Sequence, residues 1–359
     1  MLASITGLFA EPWVLTLLKV IAVFAVVMPM VAYSVVAERR ISAWIQDRIG
    51  PNRVGIPFTN IRLLGLGQPL ADGLKALVKE DFTPAHVRKA FYWMAPALVL
   101  VPSFVVLAVV PFGSMLGAQK MVIADLDVGI LFTFGIVSLG VYGIVLAGYG
   151  SNSKYPFLGG IRATAQMISY EVSIGFILVC VVLWAGSWNL TEIVEAQRGH
   201  GFGIVNGFYF NLLLFPMWVV FFISSLAETQ RVPFDLTEAE SELVAGYQTE
   251  YSSMAFALYW LGEYANILLM CALNTLLFFG GWLPPVDWAP LYWVPGIIWF
   301  LLKTLFFFFM FSWVMATVPR YRYDQLMRLG WKVFLPMSLI FVFVISGYLM
   351  ATGHFGTPA

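Results

Sequence analysis

The sequence predicts an all-α integral membrane protein of about eight transmembrane helices, with one amphipathic helix lying at the membrane surface. Three observations carry this. The chain is 60% hydrophobic and 16% aromatic, with 11% of its 359 residues charged and a mean hydropathy of +0.83, whereas soluble proteins are about a quarter charged. The apolar residues fall into eight stretches, near 13–36, 92–112, 128–149, 165–186, 208–227, 252–280, 294–317 and 332–351; each has the roughly 20 residues that a helix needs to cross a bilayer. The stretches are continuous rather than alternating, which favours helices over a barrel. A single transmembrane domain over residues 1–359 accounts for the whole.

The first stretch has no basic residue before Lys19, so it reads as a retained span rather than a signal peptide. Lys19 lies about a turn and a half inside it and can return its ammonium to the interface along its own stem. Glu38, Arg39 and Arg40 close the span. Loop 1 predicts a helix over 61–79: Leu63, Leu66, Leu70, Leu74 and Leu77 recur at helical spacing, with Gln68, Asp72, Lys75 and Lys79 opposite. Gly65, Gly67 and Pro69 weaken its first half. The Gly-Leu-Gly-Gln-Pro-Leu run superficially resembles a phosphate loop, but no strand precedes it.

The second and third spans hold no Asp, Glu, Lys or Arg. The fourth carries Glu171, with Gln166, Ser169 and Tyr170 nearby. The fifth ends at Glu228. Glu263 lies near the middle of the sixth, and Asn266 and Asn274 share its helix face. Lys303 sits near the middle of the seventh, where pairing with a carboxylate would lower its cost. The eighth span closes the bundle. Trp13, Trp93, Trp184, Trp188, Trp282, Trp288, Trp293 and Trp331 cluster near the span ends, as an aromatic belt does.

Charge orients the bundle. The odd-numbered loops carry sixteen Lys and Arg residues, and the even loops only Lys120 and Arg198. By the positive-inside rule the odd loops face the cytoplasm and both termini lie outside, which for a bacterial inner membrane means the periplasm; a mitochondrial inner membrane is the alternative setting. Loop 5 therefore shares a face with the basic loop 1. It holds Glu228, Asp235, Glu238, Glu240, Glu242 and Glu250, with Arg231 its only cation. Carboxylates set so close share protons and respond to nearby charge. The loop is either a proton-handling surface or a docking surface for a basic partner.

Several classes are excluded. Cys180 and Cys271 lie in apolar runs and cannot ligate an iron–sulfur cluster, and His86, His200 and His354 are scattered, so no resident metal or redox centre is expected. A net charge of zero gives no pull on nucleic acid. No catalytic triad, Walker loop or nicotinamide site is legible, and no internal repeat suggests an inverted-repeat transporter. An ionisable residue inside a span costs at least ~2.5–3.5 kcal/mol and is by default functional. Glu171, Glu228 and Glu263 thus form a candidate proton relay. A self-sufficient ion-coupled transporter with Glu263 and Lys303 as its ion site is a competing reading, and a passive scaffold is another.

Long motifs add a resemblance. Ala-Glu-Arg-Arg-Ile (37–41), Arg-Ile-Gly-Pro-Asn-Arg-Val-Gly (48–55), Gln-Pro-Leu-Ala-Asp-Gly-Leu-Lys (68–75), Gly-Tyr-Gly-Ser-Asn-Ser-Lys-Tyr (148–155), Gln-Met-Ile-Ser-Tyr-Glu-Val (166–172), Ala-Glu-Thr-Gln-Arg-Val-Pro-Phe-Asp-Leu (227–236), Glu-Ser-Glu-Leu-Val-Ala-Gly-Tyr (240–247), Gly-Glu-Tyr-Ala-Asn (262–266) and Pro-Arg-Tyr-Arg-Tyr-Asp-Gln-Leu-Met (319–327) occur in order along nearly the whole chain. Together they closely resemble the H-type membrane subunits of proton-pumping NADH:quinone oxidoreductase, respiratory complex I. The mitochondrial counterpart of that family is the first NADH dehydrogenase subunit of the organelle's genome. The resemblance implies eight spans and a component joining the membrane arm to the peripheral arm. It implies a quinone chamber lined or flanked by Glu38, Arg39, Asp72, Glu228, Arg231 and Asp235, with Arg320 and Arg322 near its mouth. Proton coupling would run through Glu171, Glu228, Glu238, Glu240, Glu242, Glu263 and Lys303. Ubiquinone would be the substrate. FMN and iron–sulfur clusters would reside on peripheral-arm redox subunits, with small and antiporter-like membrane subunits as further partners in the bilayer. The anchor of a related membrane-bound hydrogenase is the nearest alternative, and the quinone-side motifs favour the quinone enzyme.

Overall fold

The computed structural model describes residues 12–55, 65–116, 119–198, 207–208, 211–236, 243–286 and 288–353. They form helices α1 (Pro12–Ile45), α2 (Gln68–Val78), α3 (Lys89–Val106), α4 (Gly129–Gly150), α5 (Lys154–Ala185), α6 (Leu190–Ala196), α7 (Phe215–Glu228), α8 (Ser253–Phe278), α9 (Gly296–Thr317), α10 (Tyr323–Arg328) and α11 (Leu335–Thr352). A π-helical turn over Leu329–Phe334 joins the last two. Among the described residues the β structure is a minimal antiparallel hairpin, β1 (Met115–Leu116) with β2 (Gln119–Lys120), on the loop between α3 and α4.

Among the described residues, seven helices are long and apolar enough to cross a membrane, with α10, the π turn and α11 counted as one. The fifth expected span differs. Its helix, α7, has 14 residues, about 21 Å at 1.5 Å per residue. Asn211 forms the stop: its side chain accepts from Leu213 N at 3.0 Å and its carbonyl from Phe215 N at 2.8 Å. Pro216 then opens the helix, where its missing N–H is harmless. Two other helices overrun their predicted spans. α1 has 34 residues and α5 has 32, so the end of α1 carries Glu38, Arg39 and Arg40 clear of the apolar run.

The surface helix of loop 1 begins at Gln68, and 61–64 lie outside the described residues. Gly65 sets that start. Its φ is +76°, and a Cβ there would lie 2.2 Å from the carbonyl oxygen of Pro51, so only glycine makes this turn. α2 presents Leu70, Leu74 and Leu77 outward as an exposed apolar row, with Leu66 exposed in the turn before it. Ser253, at the start of α8, donates to the carbonyls of Ala76 and Lys79 at 2.8 and 3.1 Å and so ties down the helix's far end.

α5 and α8 are the most buried spans and α1 the least. Their contacts with α7 form the core, where Ile174, Ile177, Phe221 and Phe278 are fully buried. A smaller cluster at the odd-loop face stacks Tyr92 on Tyr251 at 4.2 Å between ring centroids, with Tyr259 edge-on to Tyr251 at 4.8 Å. Burial pushes the Tyr251 phenol above its usual range, so it stays a neutral donor, to the carbonyl of Tyr92. This aromatic set holds the returning end of loop 5. At Gly159 of α5 an added Cβ would meet Gly246 Cα at 2.8 Å and Tyr247 N at 2.9 Å. The missing side chain lets α5 touch the 3-10 turn Gly246–Gln248, which places Tyr247 beside α8.

Candidate functional site

The widely separated motifs meet at the odd-loop ends of α1, α5, α7 and α8. α5 supplies the clamp. Gln166, fully buried, donates from one Nε2 to the carbonyls of Ala227 and Phe234, at 2.8 and 3.0 Å. One side chain therefore closes both ends of the turn that follows α7. Phe234 stacks on Tyr321 with centroids 5.6 Å apart, and Tyr321 N donates to the Pro233 carbonyl. Tyr170 donates to the carbonyl of Leu326 at 3.0 Å. The turn between them is thereby fixed, and it projects Arg231 inward.

Arg231 is the centre of the site. Its Nη1 lies 3.5 Å from Glu38 Oε1 at the end of α1, and its Nη2 lies 3.8 Å from Glu263 Oε2 on α8. The guanidinium also sits over the Tyr264 ring, 4.5 Å from the centroid, a placement that strengthens as water is excluded. All three charged side chains are less than a fifth exposed. The other carboxylate oxygen of Glu263 accepts from Tyr247 OH at 2.9 Å and Gln248 Nε2 at 2.6 Å. One arginine thus serves two carboxylates.

Around it stand two further pairs. Arg320 Nη2 meets Asp235 Oδ2 at 2.9 Å. Arg39 Nη1 meets Asp72 Oδ2 at 3.3 Å, and Gln68 donates to the other oxygen of Asp72 at 2.8 Å. Arg39 also lies over the Trp260 ring. This second pair stands in a groove of about 600 Å³ between α1, α2 and α8, whose walls include Val35, Phe256, Trp260 and Leu261 and which reaches Tyr264. The groove therefore runs from the amphipathic surface helix to the ring under Arg231. These contacts place loops 1, 5 and 7 on one face, as the charge distribution predicts.

Deeper in, Glu228 ends α7 with 2% exposure, and its Oε2 has no hydrogen-bond partner among the described residues. A cavity of about 40 Å³ connects it to Glu263, with Asn266 and Gln230 in the wall. A water needs roughly 10–15 Å³ and two to four polar partners, so this space suits water. Glu171, half-buried on α5, engages Ser138 of α4 and lies within Coulombic reach of Glu228. Asn274, three turns below Glu263, bonds Ser225 of α7 at 3.4 Å and stays within the core.

The remaining expected residues stand apart from this group. Arg322 is 82% exposed and pairs with Asp324 at 3.3 Å, outside the cluster. Glu238, Glu240 and Glu242 lie outside the described residues. Lys303 has no carboxylate beside it among the described residues. It donates instead to the backbone carbonyls of Phe279, Gly281 and Leu283, the last two at 3.2 and 2.6 Å. That turn follows the far end of α8, sixteen residues beyond Glu263 and so about 24 Å along the axis; Glu263 and Lys303 do not form one ion site. The lysine's three donors match these three carbonyls, and the contacts tie the turn down. Lys303→Met is expected to lower the melting temperature of the assembled protein, through a loss of about 3 kcal/mol from stranded carbonyls, while leaving the activity per assembled molecule within twofold. Heating curves beside specific activity check this.

Tyr247, Gln248, Tyr264 and Trp260 were not singled out from the sequence. The signal available was position: Tyr264 directly follows Glu263, and Tyr247 ends the 240–247 motif.

Comparison with known proteins agrees with this assembly of motifs. The NADH dehydrogenase family matches residues 18–346. The H-type subunit of NADH-quinone oxidoreductase from Erythrobacter litoralis is 66% identical over 95% of this chain and 94% of its own length. The protein of the same name from Sphingopyxis alaskensis is 62% identical, over 95% of this chain and 96% of its own. NADH-ubiquinone oxidoreductase chain 1 of Chondrus crispus is 52% identical, over 93% and 97%.

Proposed function

The chain belongs to the NADH dehydrogenase family, and from that premise we propose that, within proton-translocating NADH:quinone oxidoreductase, it walls a quinone chamber and passes charge changes from that chamber into the membrane. One observation carries this reading. The groove between α1, α2 and α8 is apolar along its sides, charged at its mouth through Arg39 and Asp72, and ends at Tyr264 under the Arg231–Glu38–Glu263 group. A quinone has matching parts: an apolar tail for the groove and a small polar head for the charged end.

Reduction of a quinone to its quinol takes two electrons and two protons. The electrons come from redox groups on other subunits, FMN and iron–sulfur clusters in this reading. This chain's residues supply the setting. Arg231 is placed to stabilise negative charge arriving on the head, and any drift of the arginine toward it loosens its hold on Glu38 and Glu263. Those carboxylates then draw protons, and the demand passes through the small cavity to Glu228 and on to Glu171, because interactions between charges at low dielectric are still strong at separations of several Å. Subunits adjoining Glu171 in the membrane would receive the change. In this reading the odd-loop face looks toward the cytoplasm of a bacterial inner membrane, on the side of the peripheral redox subunits.

The test is purification in mild detergent through a tag on this chain, followed by assay of inhibitor-sensitive NADH:quinone reduction. Flavin and iron should co-purify with activity; a clean single chain with no such activity, under conditions that preserve complexes, removes the proposal. Within the active complex, Ala257→Trp narrows the groove one turn into α8. It is expected to raise the KM for a long-tailed quinone about tenfold with kcat nearly unchanged, the pattern of lost binding alone. Steady-state kinetics with short- and long-tailed quinones measures it.

A further inference from the structure

A second groove, of about 490 Å³, lies at the other end of α1. Leu15, Ala22, Val23 and Val26 form one wall, with Met121 of the α3–α4 loop and Ile297 of α9 opposite. Its lining is apolar apart from two lysines, Lys19 and Lys120. They differ in kind. Lys120 is ion-paired with Asp125, which also accepts from Asn189 at 2.9 Å and Thr191 at 3.3 Å. Burial would raise the Asp125 carboxyl, yet these bonds hold it below the usual range, so the pair persists at neutral pH and adds no net charge.

Lys19 has no carboxylate partner among the described residues. Its Nζ donates to the carbonyls of Lys120 and Val122, at 3.1 and 3.0 Å. An ammonium has three donors, and one remains. Side chains on a helix lean toward its N-terminus, so Lys19 points back toward the exposed Trp13 and the even-loop surface of the membrane. Among the described residues the result is a lysine without a carboxylate partner, at the rim of an apolar trough that opens along the span with most exposed apolar surface.

We infer that this groove binds an anionic phospholipid of the even-loop leaflet, with one acyl chain in the trough and the phosphate on Lys19. The two parts of the site fit the two parts of that molecule. The carbonyls that hold Lys19 fix its direction but cannot neutralise it, which a phosphodiester does. A partner helix would fill the trough equally well but would leave the cation uncompensated unless it brought a carboxylate to the same point.

The intact complex, in nanodiscs of phosphatidylcholine and phosphatidylglycerol, tests this with phospholipids that carry a photoactivatable group on the acyl chain. The phosphatidylglycerol probe should label peptides 14–27 and 119–123 at least fivefold more than the phosphatidylcholine probe at equal concentration. Lys19→Met should erase that preference, Lys19→Arg should keep it, and Val23→Trp, which fills the trough, should suppress labelling by both. Equal labelling by the two probes in the unaltered complex overturns the proposal without any variant. So does a cross-link from the groove to residues 1–11 or to another subunit in place of lipid.

Discussion

Replacing Arg231 with methionine is expected to lower NADH:quinone reduction ten- to a hundredfold, while NADH oxidation by an artificial acceptor continues at its usual rate. Methionine keeps the length and apolar stem of arginine but removes the one cation between Glu38 and Glu263, 3.5 and 3.8 Å away. Removing one partner from a buried pair costs about 3–5 kcal/mol, since the remaining charge stays desolvated. If the arginine also holds the quinone head, the loss appears in kcat as well as KM. Arg231→Lys should recover only a part. An ammonium cannot reach both carboxylates and stack on Tyr264 at once, as the planar guanidinium does. Arg231→Met with Glu38→Gln should be less impaired than Arg231→Met alone, because the second change removes a charge that the first left exposed to its neighbour. Full quinone reduction by Arg231→Met would take the arginine out of the site. An equal loss of assembled complex would reassign it to folding.

The reach of the sequence can be judged from the same residues. Charge in a membrane span is rare enough to be read directly, so Glu171, Glu228, Glu263 and the ends of loops 1 and 5 were visible as candidates. Which of them meet was not visible. The joining of Glu38, Arg231 and Glu263 depends on Gln166 closing the loop 5 turn from α5, sixty-one residues away. Neutral partners are hidden for a related reason: Tyr247 and Gln248 hold Glu263, but nothing in a count of charges marks them. Lys303 shows the opposite failure. A buried cation suggests a carboxylate, yet backbone carbonyls satisfy an ammonium just as well, and a freed carbonyl leaves no trace in sequence. The amphipathic face of α2 followed from leucine spacing, while its start followed from the backbone that Gly65 permits. The fifth helix is shorter than its apolar stretch because local hydrogen bonds over Asn211–Leu214 turn the chain before Pro216.

Glu228→Gln is expected to at least halve the number of protons moved per electron and to slow quinone reduction several-fold, with assembly intact. Glutamine fills the same space, so packing at the end of α7 is preserved, but an amide cannot take up and release a proton. Its position gives the effect its size. Glu228 is 2% exposed, with one oxygen unbonded among the described residues, and it stands between Glu263 across the small cavity and Glu171 on α5. In the proposed relay, a charge change near Glu38 and Glu263 passes it on the way to Glu171. Glu228→Asp keeps the acid but withdraws it by one methylene, and should fall between wild type and glutamine. The decisive comparison is with Glu171→Gln and Glu263→Gln. Carriers in series fail together, so each single variant should lose coupling, and the pair Glu228→Gln/Glu171→Gln should be no worse than the poorer single. Independent contributions would add instead. Proton uptake by vesicles, measured against electron transfer in the same sample, separates the two, and additive losses would dissolve the relay into unconnected acids.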